Sequence, residues 1–407
     1  MFGTLAIPTI AKRRATLEAS LYGLRWVLMA VGAFATWAVQ VVQLVLTGAR
    51  IRTRRAALKV GCIAVLMLTH TAWAARHSPA KMVDNAPPDI LMDGGRRLIY
   101  ERSFSSERDT RQKRSFWTKL VDAVAGEPEF HSLVRPYEIA MDSHGRLIVT
   151  DPGASGVHIF DFTRQKYKFL QRNEGKDPLR DPQCVAVDAQ DNIYLTDSSS
   201  GKIFVFNSNG KFQHALGSLK GGEGYFKRPT GIAVDSAADR IYVTDTLRNK
   251  VFMLDLRGNV LQTIGKNGTE NGEFNFPTEL LLAGENLAVV DAMNFRVQVL
   301  NRSGLYQYGI GKLGDTIGTM FRPKGLGFDS ENHLYVLDGS QSIVQVFNRE
   351  GQLLYYFGNR GTGAGEFQLP TGLLVDRSDH IYVVDSYNRR VQVFRYFGLP
   401  TQAGGRQ

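Results

Sequence analysis

Cysteine is scarce: the chain has two, Cys62 and Cys184. No Cys pair has the spacing of a zinc site, and a disulfide-rich miniature is excluded. Cys184 is expected to be a small buried apolar residue. Proline is modest at 14, and glycine, at 41, follows no collagen period. With 43% hydrophobic side chains the chain is neither disordered nor fibrous. No glycine-rich phosphate loop opens a helix, and no G-x-S-x-G elbow is present.

A surplus of one charge sign is also missing from most of the chain. The net charge is +10, but residues 1–75 hold nine Lys/Arg and one acid. Residues 94–119 carry eight basic and three acidic side chains, and residues 120–407 hold 30 basic against 32 acidic. The basic surface with stacking aromatics that RNA binding requires is therefore absent from the bulk of the protein, and no nucleic-acid partner is expected.

Long apolar runs occur only near the start. Trp26 to Leu46 is uncharged for 21 residues, enough helix to cross a bilayer core of about 30 Å. Arg50, Arg52, Arg54, Arg55 and Lys59 follow, then the apolar run Val60–Leu68 and Ala72-Trp73-Ala74. That second unit has the parts of a secretory signal, with cleavage expected after Ala74. Residues 1–75 are thus expected to be a transmembrane or signal leader. The rest would lie outside the cytoplasm, in the periplasm or cell envelope, membrane-anchored through the N-terminal helix or secreted.

Self-similarity dominates residues 130–394. Pro136, Pro182, Pro229, Pro277, Pro323 and Pro370 recur at intervals of 46, 47, 48, 46 and 47 residues. Each opens a unit of short β-branched and aromatic runs, such as Ile241-Tyr-Val-Thr-Asp245 and Ile381-Tyr-Val-Val-Asp385, separated by Asp, Asn, Ser and Gly turns. Four strands every 47 residues or so is the period of a propeller blade, and six units give six blades. Pro229-Thr-Gly-Ile-Ala-Val-Asp235, Asp385-Ser-Tyr-Asn-Arg-Arg-Val-Gln-Val-Phe394 and the loop Gly272-Glu-Phe274 resemble NHL repeats. The resemblance implies an all-β, six-bladed propeller over residues 129–398, followed by a flexible tail, 399–407. Residues 76–128 read as a linker with a strand at 94–101 and a short amphipathic helix at 115–126. The last unit lacks a fourth strand, so 94–101 is expected to supply it and close the ring.

The fold does not name the chemistry, which has to come from a site. Peptide-amidating lyases resemble this chain in fold and repeat type and use His-ligated zinc in the channel. No histidine falls on an expected inner strand here, and His144, His333 and His380 sit in turns of separate blades. Calcium-dependent lactonases and esterases share the architecture and hold metal through channel carboxylates. Glu138 and Glu279 occupy equivalent positions, two residues after the blade proline, on blades that oppose each other. They would suit a hard cation, or each would pair with a neighbouring Arg or loop amide. Arg135, Arg228 and Arg322 precede the proline in alternate blades. They would grip a carboxylate or phosphate, or bridge to acids of adjacent loops. Asp151, Asp197, Asp245, Asp291, Asp338 and Asp385 recur in every unit and are assigned to turns.

The resulting expectation is an exported binding or scaffold module for a protein, a peptide or a small anionic ligand, without an obligatory cofactor. Arg135, Glu138, Arg228, Glu279 and Arg322 are its candidate ligand-binding residues, and no catalytic residue is assigned. The alternative is a metal-dependent lyase or a lactone or ester hydrolase with calcium or zinc in the channel.

Overall fold

The computed structural model describes residues 87, 89–92, 95–110, 130–172, 178–220 and 223–398. The expected leader, the helix 115–126 and the tail 399–407 lie outside them. Among the described residues no helix is long and apolar enough to cross a membrane.

Six antiparallel sheets follow one another along the chain. Blade three is representative: Pro229–Asp235, Arg240–Asp245, Lys250–Asp255 and Val260–Ile264 pair in sequence order from the axis outward. Its second and third strands alternate β-branched and aromatic residues that are buried on both faces, because each sheet is sandwiched between neighbours. The fourth strand, VLQTI, is mostly exposed, as an outer strand must be. The core therefore forms between blades. One cluster joins Cys184, Ile203 and Val205 of blade two to Ile232, Ile241 and Phe252 of blade three.

The sixth blade is composite. Gly372–Val375, His380–Asp385 and Arg390–Phe397 continue into Arg97–Phe104, with Ile90–Leu91 as a short fifth strand outside it. Arg97 pairs with Phe397 and Phe104 with Val391. The strand present in the fourth position spans Arg97–Phe104, against the expected 94–101. Gly95 takes a φ of 84°, which makes it a turn residue between two strands and not a strand residue. A register shift between Tyr100 and Arg102 then lets the strand run on, so that Leu98, Tyr100 and Phe104 are all buried.

Within every blade the first strand runs from one face of the disc to the other, and the second returns. The loops from second to third strand and from fourth strand to the next blade thus share one face, called here the upper face. A register shift at the upper end of the first strand recurs in blades two to five, as between Pro229 and Ile232 or Pro277 and Leu280. The two residues after the proline are released from the ladder there and can turn toward the axis. In blades one to three a buried threonine on the second strand holds this end of the first strand. Thr150, Thr196 and Thr244 accept from the backbone N–H of Glu138, Cys184 and Gly231. The same hydroxyls donate to the carbonyls of Gln183, Thr230 and Thr278 on the next blade. One hydroxyl thereby satisfies two backbone groups and ties adjacent blades near the axis.

Candidate functional site

Three tiers of side chains surround the upper end of the axis, each set by its offset from the blade proline. Immediately before the proline stand Arg135, Asp181, Arg228, Phe276, Arg322 and Leu369 in blade order. The arginines alternate with the other three. Their loops are fixed by the recurring aspartates: the backbone N–H groups of Arg135, Arg228 and Arg322 donate to Asp151, Asp245 and Asp338. These carboxylates are fully buried. Asp151 and Asp338 also accept from the turns that follow them, through Ala154 and Gln341. The turn role expected from sequence is real for Asp151 and Asp338 but is only part of what these carboxylates accept. Each aspartate locks two upper-face loops together, and that is what positions the arginines.

The guanidinium groups themselves are exposed and converge on one cavity of about 320 Å³. Tyr137, Asp181, Gln183, Lys324 and Tyr387 share its wall. Among the described residues, none of the three arginine side chains makes an ion pair or a hydrogen bond. Asp181, the one carboxylate in the wall among the described residues, accepts from Gln183 Nε2 at 2.8 Å. Burial raises its pKa, and Arg135 and Arg228 oppose that rise.

One residue deeper lies the second tier. Tyr137 of blade one packs against the apolar cluster between blades two and three. The Lys324 ammonium sits 5.8 Å from the centre of its ring. Burial first, then the neighbouring Arg322 charge, lower the Lys324 pKa to about 8. The sequence reading passed over both residues. The signal was a tyrosine and a lysine at a position filled by threonine in blades three, four and six.

The third tier brings Glu138 and Glu279 together with Cys184, their ligand atoms all within 4.8 Å of one another. Glycine occupies the same position in the other three blades. A Cβ on Gly231 would lie 2.9 Å from Glu279 Cα, and one on Gly372 would lie 2.6 Å from the Tyr137 carbonyl oxygen. Three glycines let the first strands approach, and three larger side chains fill the remaining centre. Glu138 Oε1 accepts from the Ile139 N–H and Glu279 Oε1 from the Leu280 N–H, both at 2.9 Å. The Cys184 thiol donates to Glu279 Oε2 at 2.7 Å. Cys184 is buried in the apolar core between blades two and three, and its thiol also donates into the polar cluster.

Burial pushes both carboxyl pKa values up, Glu138 well above the usual range and Glu279 to about 7. The charge of Glu279 adds to the rise at Glu138. Burial and the two carboxylates also push the Cys184 thiol up. Two carboxylates and a thiol are a donor set for zinc more than for calcium. Tetrahedral zinc would separate a sulfur and an oxygen ligand by about 3.5 Å. Here Cys184 Sγ and Glu279 Oε2 stand 2.7 Å apart, joined by the thiol hydrogen bond.

Among the described residues the histidines do not gather. His144, His333 and His380 hydrogen-bond Asp191, Asp329 and Asp376 in hairpins of the lower face. His158 is buried in blade one, where its Nδ1 meets the Tyr167 hydroxyl at 2.8 Å.

A family model described as a 6-bladed beta-propeller matches residues 181–265, 232–308 and 328–399. This is coarser than the NHL repeat that the motifs resemble. No curated protein matches the sequence. Among solved structures, a protein of unknown function from Bacteroides thetaiotaomicron is 13% identical, with 76% of this chain and 84% of that one covered and a TM-score of 0.52. An auxiliary nutrient binding protein from the same organism is 13% identical over 65% and 70%, with a TM-score of 0.50. Virginiamycin B lyase from Staphylococcus aureus is 13% identical over 77% and 96%, with a TM-score of 0.49. At such identity the likeness is one of fold.

Proposed function

We propose that this six-bladed propeller is an extracytoplasmic binding module whose upper channel mouth takes an anionic group. The observation that carries the reading is the set of three unpaired guanidinium groups, Arg135, Arg228 and Arg322, around one cavity beside Lys324. Exposed arginines usually find a neighbouring acid. Leaving three of them free at one mouth is worthwhile where an incoming carboxylate or phosphate supplies the partner. The cavity is of the size that small ligands and side chains occupy. Export rests on the leader residues 1–75, and anchoring on the apolar run Trp26–Leu46. In the same reading Arg97–Phe104 closes the ring.

Calorimetry with citrate and inorganic phosphate tests the mouth. Either anion should bind the protein, and Arg228→Ala with Arg322→Ala should weaken it at least tenfold. Binding that is unchanged in the double variant, or that is absent for both anions, would overturn the reading.

A further inference from the structure

The upper face carries more than charge. Leu247, Phe276, Met293, Phe321 and Tyr387 are between 40% and 61% exposed there, in the loops that surround the arginines. Leu313 and Ile317 extend this surface outward from blade five. In the loops of the lower face, among the described residues, Leu305 is the one large apolar side chain left exposed. Exposed apolar side chains gathered in the loops of one face, around a charged mouth, are the mark of an interaction surface.

Backbone conformation sharpens the point. Phe276 holds a φ of 55°, a left-handed conformation that costs a bulky L-residue on the order of 1 kcal/mol or more. Its N–H donates to Asn249 Oδ1 of the preceding blade at 2.8 Å, which keeps the conformation in place. A strained phenylalanine whose side chain remains 40% in solvent contributes little to the core. The arrangement makes sense if the ring is covered by something else.

We infer that the upper face docks an acidic peptide segment of a protein partner, in which a carboxylate is flanked by aliphatic or aromatic side chains. The carboxylate enters the mouth between Arg135, Arg228 and Arg322, and the flanking side chains cover Phe276, Phe321 and Met293. Charge complementarity selects the acid, and the apolar rim selects its neighbours. A free inorganic anion would fill the mouth and leave the rim uncovered. A polyphosphate chain would meet apolar surface as soon as it left the mouth. This inference rests on the reading of the mouth as an anion site.

The test is selection of a random 12-residue phage-displayed peptide library on the full-length protein, followed by fluorescence anisotropy with the synthesised winners. Enriched peptides are expected to carry Asp or Glu beside Leu, Phe or Trp. Their Kd should rise at least tenfold in Arg228→Ala with Arg322→Ala, and at least tenfold in Phe276→Ser with Phe321→Ser. Leu305→Ser, on the lower face, should leave it unchanged. Retained citrate binding by Phe276→Ser with Phe321→Ser shows that this variant is folded. Failure to enrich any peptide overturns the inference, as does a basic consensus or binding indifferent to the rim variant. If citrate binds in an Arg-dependent way while peptides fail, only the inference falls. If citrate also fails, the reading of the mouth falls with it.

Discussion

Neutralising Glu279 should stabilise the protein, and only above a definite pH. Glu279 titrates near 7 in the folded state, against an ordinary value of 4.5. The cause is burial, and Glu138 shares the same pocket. The folded protein therefore holds a proton at Glu279 between about pH 4.5 and pH 7 that the unfolded chain has released. Because the unfolded state binds fewer protons in that window, stability falls as pH rises through it. A raise of about 2.5 units at about 1.4 kcal/mol per unit puts the full cost near 3 kcal/mol, complete above pH 7. Glu279→Gln keeps an acceptor for the Leu280 N–H or the Cys184 thiol and removes the charge. The variant should match the wild type near pH 4.5 and exceed it by roughly 2–3 kcal/mol at pH 8. Urea denaturation followed by circular dichroism at the two pH values measures the difference. Glu138→Gln should act in the same direction, and the double variant should gain less than the sum, since either change relieves the other carboxyl. An equal effect of Glu279→Gln at both pH values, or a loss of stability at pH 8, would refute the account of a desolvated, proton-sharing pair.

The other expectations are simpler to state. Asp338→Ala strips acceptors from the N–H groups of Phe321, Arg322 and Ser340; it should cost about 3 kcal/mol in urea titrations and weaken citrate binding by freeing the Arg322 loop. Cys184, buried with a raised pKa, should resist iodoacetamide at pH 8 in the native protein and react at the rate of an ordinary thiol in urea. Deleting residues 97–104 removes Leu98, Tyr100 and Phe104 from two inter-blade clusters. The shortened protein should aggregate or lose its cooperative melt, and an unaltered melting curve would contradict a closing role for this strand.

The blade count was legible because each repeat announces itself through a proline, an aspartate and a run of alternating residues between them. Such signals are local, and six copies reinforce one another. The three tiers were legible only in part, because they depend on residues that interrupt the repeat. Arg135, Arg228 and Arg322 stand out as departures, and the structure gathers them around one cavity. Glu138 and Glu279 stand out as well, as equivalent positions on opposing blades. They lie two residues past the proline, one step deeper than Tyr137 and Lys324. Cys184 occupies the same offset as the two glutamates and was read by residue type and not by position. Reading the six residues of each offset together would have exposed the mixed Glu, Cys and Gly set. The threonines that stitch blades one to three were invisible for another reason. Their partners are backbone carbonyls on the next blade, and no side-chain pattern reports these.

The composite sixth blade also bears on how the molecule comes into being. Arg97 finds its partner in Phe397, 300 residues further along the chain. Bringing such distant segments together carries a large loop-closure entropy, and contacts of that range slow folding. Five blades can assemble in order as the chain emerges, each templating the next. The sixth has to wait for nearly the whole polypeptide, while Leu98, Tyr100 and Phe104 stay uncovered. Final assembly becomes a single late event, timed by the arrival of the last strand.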